Sequence, residues 1–524
     1  MKGNLQDALK LFNDCQKINP TNAAVKYELG TLYKLLGVND LALVNAKGCA
    51  EADAKNEWYQ LLLVDCYNVL KQYNQAIKVR ESLVKTFPSK TEFQEDLAIE
   101  FTIAGQYEKA FNIYDGLEKI YGVNEQITLN KVKLLKEERK SKAAEMELLK
   151  LSASNKNETR YYSYLADFYV ETGELEKAKQ MYDRILVIDP SNPVVNLALH
   201  DYYSAQGKND EAFVYLRKAF QNLDLDLKTK ANIATSFYRR SVEIDDPKIK
   251  AQGEELSQIL FDLYPNSPEA NLLHADFLML DGKQQQALVF YYKAAMANQR
   301  DYLTWGKLLS LEYSASNYDS LESHSAKAID LFPSQPSNYL YNGIANIQLK
   351  NYKKAVTSLK DGLEFVVDNK SLMLDFYRSL GDANYYLEDY ALSDKAFDDA
   401  LKIDSDNTYV LNNYAYFLSL RNVDLEKAEK LSRRTIELKP NDKNYMDTYG
   451  WILFCQKKYK EAENWLHNAT KTEQKNPNIL EHYGDVLYRL NRTSEALQQW
   501  NMAKDAGGTS GSLLKKIKDK KLDD

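Results

Sequence analysis

The sequence predicts an all-α fold, an α-solenoid in which antiparallel helical hairpins stack one on the next. Three observations predict it. Apolar residues recur at i, i+3, i+4 and i+7 in short segments, the spacing of one face of a helix. Glycine and proline are scarce, 20 and 11 of 524 residues, yet they fall between those segments, where they stop helices. One skeleton is also rewritten down the chain: "GELEKAKQMYDRILVIDPSNP" at 173–193, "GQYEKAFNIYDGLEKIYG" from Gly105, "NYKKAVTSLKDGLEF" from Asn351, "KYKEAENWLHNATKTEQKNP" from Lys458. Length alone suggests about three or four domains, but a fixed period means a stack of small units instead.

The stretch 159–192 shows one unit in full. Its first helix puts Tyr162, Leu165, Ala166 and Tyr169 on one face, and Gly173 breaks it. Its second helix puts Ala178, Tyr182, Ile185 and Ile188 on one face, and Pro190 ends it. With Thr159 as position 1, Leu165 stands at 7, Ala166 at 8, Tyr169 at 11, Gly173 at 15, Ala178 at 20, Tyr182 at 24, Ile185 at 27 and Pro190 at 32. Small residues at 8 and 20 let two helices approach within the usual separation of about 8–10 Å. This pattern resembles the tetratricopeptide repeat, whose frame has an aromatic at 4, Leu-Gly or Leu-Ala at 7–8, Tyr at 11, Ala at 20, an aromatic at 24, Ala at 27 and Pro at 32.

The frame runs along nearly the whole chain. Residues 1–20 read as a half repeat, with Ala8, Phe12, Cys15 and Pro20 at positions 20, 24, 27 and 32 and no partner helix. A lone amphipathic helix leaves its apolar stripe bare, so the native chain is expected to have a further helix upstream of Met1, where a signal or lipid-anchor segment also has room. Residues 21–264 read as the N-terminal part of the array, through Leu29, Gly30, Leu97, Ala98, Leu199 and Ala212. It contains a degenerate copy at 125–158, without Gly or Pro signals, and an insertion at 241–252, where a break between two parts is expected. Residues 265–508 read as the C-terminal part, through Ala275, Leu308, Gly343, Gly381, Ala415, Gly450 and Gly484, and 509–524 as a lysine-rich, solvated tail. About thirteen hairpins and one unpaired helix result. The resemblance implies a right-handed superhelix.

It also implies that positions 2, 5, 9 and 12 of the first helices line a concave groove. Position 9 is Asp65, Asp167, Asp201, Asp276, Asp382 and Asp485 in six copies. Tyr27, Trp58, Tyr238, Tyr313, Tyr385, Tyr409, Tyr416, Trp451 and Tyr488 fall on the same stripe. By this resemblance these residues are the candidate protein-binding surface, acidic and aromatic, suited to a basic or amphipathic protein or peptide. The same aspartates also read as solubilising groups or as ties to a neighbouring helix, and the aromatics as packing between repeats. A carboxylate clamp of Lys, Asn and Arg over three successive repeats is not found: Asn130, Lys133 and Lys136 share one copy, Lys228, Asn232 and Arg239 another.

Other classes find little support. Net charge is −7, which argues against nucleic acid as partner. Cys15, Cys49, Cys66 and Cys455 have no metal-ligand or redox spacing, so no metal or cofactor is expected. No apolar run reaches the about 18 residues of a transmembrane segment. His200 and His274 sit at packing positions, and no nucleophile elbow, zinc motif or phosphate loop occurs, so no enzyme activity is expected. The reading is a non-catalytic scaffold for protein partners, loosely similar to long bacterial repeat proteins of envelope assembly or secretion. Two alternatives stay open: a cytoplasmic regulatory or co-chaperone adaptor, and the repeat portion of a larger enzyme or transporter. Localisation follows the upstream sequence, periplasmic or outer-membrane-associated with a signal segment and cytoplasmic without one.

Overall fold

In a computed structural model, described over residues 2–471 and 475–522, the chain is all-α. The described residues form thirty α-helices, α1 to α30 in chain order, and no strand. Even-numbered helices from α2 onward are the first helices of hairpins, and odd-numbered ones are the second. The type repeat is α10 (Thr159–Glu171) and α11 (Leu175–Ile188).

Local chemistry sets the boundaries. Asn22, Asn56, Asn124, Asn192, Asn407 and Asn476 precede first helices, and each side chain accepts a backbone N–H of the first turn, which satisfies an otherwise orphan donor. Pro193, Pro268, Pro336 and Pro477 open first helices, where the missing N–H costs nothing. Between the helices of a hairpin one residue turns left-handed. It is Gly173 at φ +78° in the type repeat, but Lys350 (+62°), Glu388 (+63°) and Lys457 (+65°) in later ones.

Close approach within hairpins is enforced sterically. A Cβ on Gly343, Gly381 or Gly484 would stand 2.4–2.5 Å from Leu359, Phe397 or Trp500. Leu359, Phe397 and Trp500 are themselves fully buried, so none can retreat without opening the core.

The chain divides into two compact units, Met1–Asp226 and Leu227–Asp524. In the first, the degenerate stretch still forms a hairpin, α8 (Glu125–Glu137) and α9 (Ser141–Ser154). Its position 7 is Lys131, fully buried, with Asp115, Glu118 and Glu147 at 3.2, 2.7 and 3.0 Å. Burial alone would lower its pKa, but these carboxylates hold it above the ordinary value.

In the second unit the 241–252 stretch lengthens both arms of a hairpin, α14 (Leu227–Glu243) and α15 (Pro247–Leu263), to 17 residues each. Lys250 in the added turn reaches Asp281 at 2.5 Å. The lysine-rich stretch expected as a solvated tail carries a packed helix, α30 (Gly511–Asp519). Leu513 and Ile517 share one face against the core around Trp500, and Lys516 is buried. A first helix packs on the next first helix along much of this unit: α14 on α16 (Pro268–Leu280), α18 (Tyr302–Ser314) on α20 (Pro336–Gln348), and on through α22 (Lys370–Tyr386), α24 (Thr408–Leu420), α26 (Lys443–Cys455) and α28 (Pro477–Arg489). In the first unit α2 (Ala23–Leu35) and α4 (Glu57–Val69) pack in the same way.

Candidate protein-binding stripe

The six aspartates of position 9 fall into two groups. In the first unit they face outward. Asp65 on α4 is exposed and meets Lys34 of α2 at 2.6 Å. Asp167 on α10 and Asp201 on α12 (Pro193–Ala205) are exposed. Partial desolvation, with Glu171 close by, raises the Asp167 carboxyl against the pull of Lys136. Tyr182 of α11 stands in the field of both carboxylates, and burial together with Asp167 and Asp201 raises its phenol. Trp58 is 62% exposed, and Tyr27 packs on Tyr59 with ring centroids 5.3 Å apart.

In the second unit the aspartates are occupied. Asp276 accepts from Tyr291 Oη at 2.6 Å and pairs with Lys307 Nζ at 2.6 Å. Asp382 accepts from Tyr409 Oη at 2.7 Å and from Asn413 Nδ2 at 3.4 Å. Burial pushes its pKa up to about 6, against these donors and Arg378. Asp485 accepts from Trp500 Nε1 at 2.9 Å and pairs with Lys516 Nζ at 2.7 Å. Burial raises its carboxyl, while Lys516 and His482 pull the other way.

The partners share one register. Lys307, Asn413 and Lys516 each stand 31 residues after their aspartate. That offset joins position 9 of one first helix to position 6 of the next. A second register, 35 residues, joins position 5 to position 6: Asp447 to His482 at 2.9 Å and Glu481 to Lys516 at 2.8 Å. Burial alone would keep His482 neutral, but Asp447, with Asp485 and Glu481 nearby, raises its pKa. Sequence reading by single positions misses these partners. The fixed 31-residue spacing was the signal that could have found them.

The aromatic candidates of the second unit are packed. Tyr238 meets Phe277 edge-on at 5.5 Å, Tyr313 lies near Tyr341 at 5.9 Å and Tyr488 near Trp500 at 5.8 Å. The ring of Tyr409 carries the Arg378 guanidinium at 4.9 Å. Tyr385, Tyr416 and Trp451 belong to one band. Tyr385 stacks on Phe417 at 3.7 Å, Tyr416 bridges Phe417 and His482 at 6.4 Å each, and Trp451 lies between His482 at 4.2 Å and Phe454 at 4.8 Å. The band crosses α22, α24, α26 and α28. Phe417, Phe454 and His482 lay outside the sequence-predicted set.

Elsewhere burial pushes the thiols of Cys49, Cys66 and Cys455 up to about 11, which makes them poor nucleophiles at neutral pH.

A family model described as tetratricopeptide repeat matches residues 159–192, the stretch that α10 and α11 occupy. The chain is a tetratricopeptide-repeat protein. A second family model, described as anaphase-promoting complex, cyclosome, subunit 3, matches residues 421–501 of the repeat protein. Type IV pilus assembly protein PilF of Pseudomonas aeruginosa is 25% identical to it over 181 residues, 34% of this chain and 69% of PilF. Among solved structures, the APC/C hetero-tetramer Cut9–Hcn1 aligns at a TM-score of 0.40 and 11% identity, over 99% of this chain and 94% of that one. Pseudomonas aeruginosa PilF aligns at a TM-score of 0.30 and 23% identity, over 35% of this chain and 85% of that one. Tetratricopeptide-repeat proteins bind protein partners, and no described helix is long and apolar enough to cross a membrane.

Proposed function

We propose that the repeat protein is a non-catalytic scaffold that holds a protein or peptide segment against the stripe of its first helices. The observation that carries this is the row of half-buried rings of Tyr385, Tyr416 and Trp451 on three successive first helices, backed by the buried Phe417 and by His482. Rigid aromatic surface is the chemistry of binding hot spots, because it presents area at little cost in side-chain entropy. The exposed Asp65, Asp167 and Asp201 add a negative field in the first unit, which favours a basic or amphipathic segment. Sequence likeness to a pilus assembly protein supports a role in assembling a structure of the bacterial cell envelope.

The test is a cross-linked pull-down from the source cells. Wild type is compared with Trp451→Ala and with Asp167→Lys/Asp201→Lys, after circular dichroism shows that each variant folds. Loss of a hot-spot aromatic costs about 2 kcal/mol or more of binding, so Trp451→Ala should release a partner that wild type retains. If both variants keep every wild-type partner, the stripe is not the binding surface.

A further inference from the structure

A second site lies off the stripe. In nine of the fourteen first helices α2–α28, both positions 7 and 11 are apolar, like Leu165 and Tyr169 in the type repeat. In α20 both are asparagine, Asn342 and Asn346. These are shorter than the residues they replace, and the space they leave remains open. A cavity of about 470 Å³ stands there, between α19 (Tyr318–Leu331), α20 and α21 (Tyr352–Leu363). That lies within the roughly 300–1,000 Å³ of ligand pockets.

The wall is specific. Ala326, Ile329 and Tyr339 make it apolar, and Asn342, Asn346 and Ser358 make it polar. The two amides are ordered: Asn342 Nδ2 donates to Ser325 Oγ at 3.0 Å, and Asn346 Nδ2 donates to Asn342 Oδ1 at 3.1 Å. One acceptor is left over. Asn346 is 1% exposed, and its Oδ1 is buried without a donor. A lone buried acceptor costs about 1–3 kcal/mol. Leucine at both positions would remove that cost and fill the space. The asparagines are therefore retained against stability, which is a mark of a site that does something else.

We propose that this cavity takes the carboxamide side chain of a glutamine presented by an extended segment of a protein partner. The head must donate, because Asn346 Oδ1 accepts. A neutral head suits the uncharged, buried part of the wall, Asn342, Asn346 and Ser358, while the charged residues of the lining, Glu322, Lys353, Lys354 and Asp361, are exposed or half-exposed. A carboxamide meets both needs, and its own carbonyl suits a hydroxyl donor such as Ser358. Presenting that oxygen to the cavity means turning Asn346 about χ2, a broad torsion in asparagine, at the expense of its Nδ2 bonds to Asn342. From Glu322 to Ile329 the groove runs about 10 Å along α19, the reach of about three extended residues. Its ends differ in charge. Lys353 and Lys354, the latter paired with Glu322 at 3.6 Å, stand in the first turn of α21 and Asp361 in its last, so an acidic residue beside Lys353 and a basic one beside Asp361 complement it.

The test uses the full chain and the peptide acetyl-Ala-Asp-Gln-Lys-Ala-amide, with the same peptide carrying Leu or Glu for Gln. Binding is read by saturation-transfer NMR and calorimetry, with an expected Kd of about 1 mM for so small a ligand. The Gln peptide should bind at least about tenfold more tightly than the other two, the equivalent of about one hydrogen bond. Asn346→Leu should raise the melting temperature and weaken the Gln peptide by about tenfold or more. Thr357→Trp, which plugs the mouth from an exposed position, should abolish binding with the core untouched. Three results would each overturn the proposal: equal binding of the Leu peptide, unchanged binding in both variants, or a high-resolution structure in which the peptide leaves only ordered water in the cavity. Because Trp451 is outside this site, the outcome is independent of the pull-down.

Discussion

Asp167 and Asp485 occupy the same position of the same repeat and do opposite things. Asp167, in the first unit, is exposed. Asp485, in the second, is 1% exposed and closed in by Lys516 and Trp500. The residue 31 places on separates these two, though not every copy, since Asn232 follows Asp201 at that spacing and Asp201 is exposed all the same. That residue is Ala198 after Asp167 and Asp96 after Asp65, and neither can donate. It is Lys307, Asn413 and Lys516 after Asp276, Asp382 and Asp485. A carboxylate with a donor on the next first helix can be buried as a tie between hairpins, whereas one without must stay in water. One letter at one repeat position thus reads as surface or as core according to a residue in the neighbouring repeat.

The largest way to break this comparison is to remove a donor. Lys516→Ala strands the Asp485 carboxylate, and breaking a buried pair in this way costs about 3–5 kcal/mol. Asp167→Ala should change local stability by no more than about 0.5 kcal/mol. Hydrogen exchange resolves the two regions: amides of α28 and α29 (Thr493–Asp505) should lose protection in the first variant, and those of α10 and α12 should keep it in the second. Equal effects would show that the ties carry no stability.

A smaller test uses pH. The Asp382 pKa is raised from 3.8 to about 6 by burial, so between these values the native chain holds a proton that the unfolded chain has lost. Its contribution to stability is fully present below about pH 4 and is lost as pH rises through about 6, a change of about 1–3 kcal/mol. Asp382→Asn should flatten the stability of α22 and α24 across that window and raise it at pH 7. Urea unfolding at pH 4, 5, 6 and 7 measures this. A wild-type profile that rises with pH in this region would contradict the burial of Asp382.

The smallest test concerns the turns. The first unit places glycine in the left-handed turn at Gly37, Gly105, Gly173 and Gly207 but Lys71 and Arg139 in two other hairpins, while the second has glycine there at Gly282 and non-glycine residues such as Lys350, Glu388 and Lys457 in others. A non-glycine residue in that conformation costs about 1–2 kcal/mol. Glu388→Gly should recover up to about 1 kcal/mol, and Gly173→Glu should lose as much, both read as shifts in melting temperature.

The hairpins were legible in the sequence because period and punctuation are local. Leu165, Gly173 and Pro190 each act within a few residues, and α10 and α11 begin and end where they direct. The degenerate copy was also legible as a repeat, but not the means by which it holds together. Lys131 at a core position makes sense only with Asp115, Glu118 and Glu147 around it. The stripe was legible as a set of positions and not as a surface. Asp276, Asp382 and Asp485 are closed off by residues on the next helix, and the rings of Tyr385 and Trp451 pack on Phe417 and His482. Solvation of the lysine-rich stretch was misjudged for the same reason, since Lys516 has its carboxylates 31 and 35 residues back. Every such case needs a pairing between repeats, which a single repeat's own letters do not contain.

The ties have a mechanical side. Helical hairpins stacked in a row are links in series, so a pull along the stack loads every junction equally and the most compliant one extends first. At the α10–α12 junction the residue 31 places after Asp167 is Ala198, which cannot pair with it, and the α28–α30 junction sets Lys516 against Asp485 and Glu481. Stretched, the former should open as a soft spring and the latter should hold, so one half of the chain can follow the shape of what it binds while parts of the other keep their own.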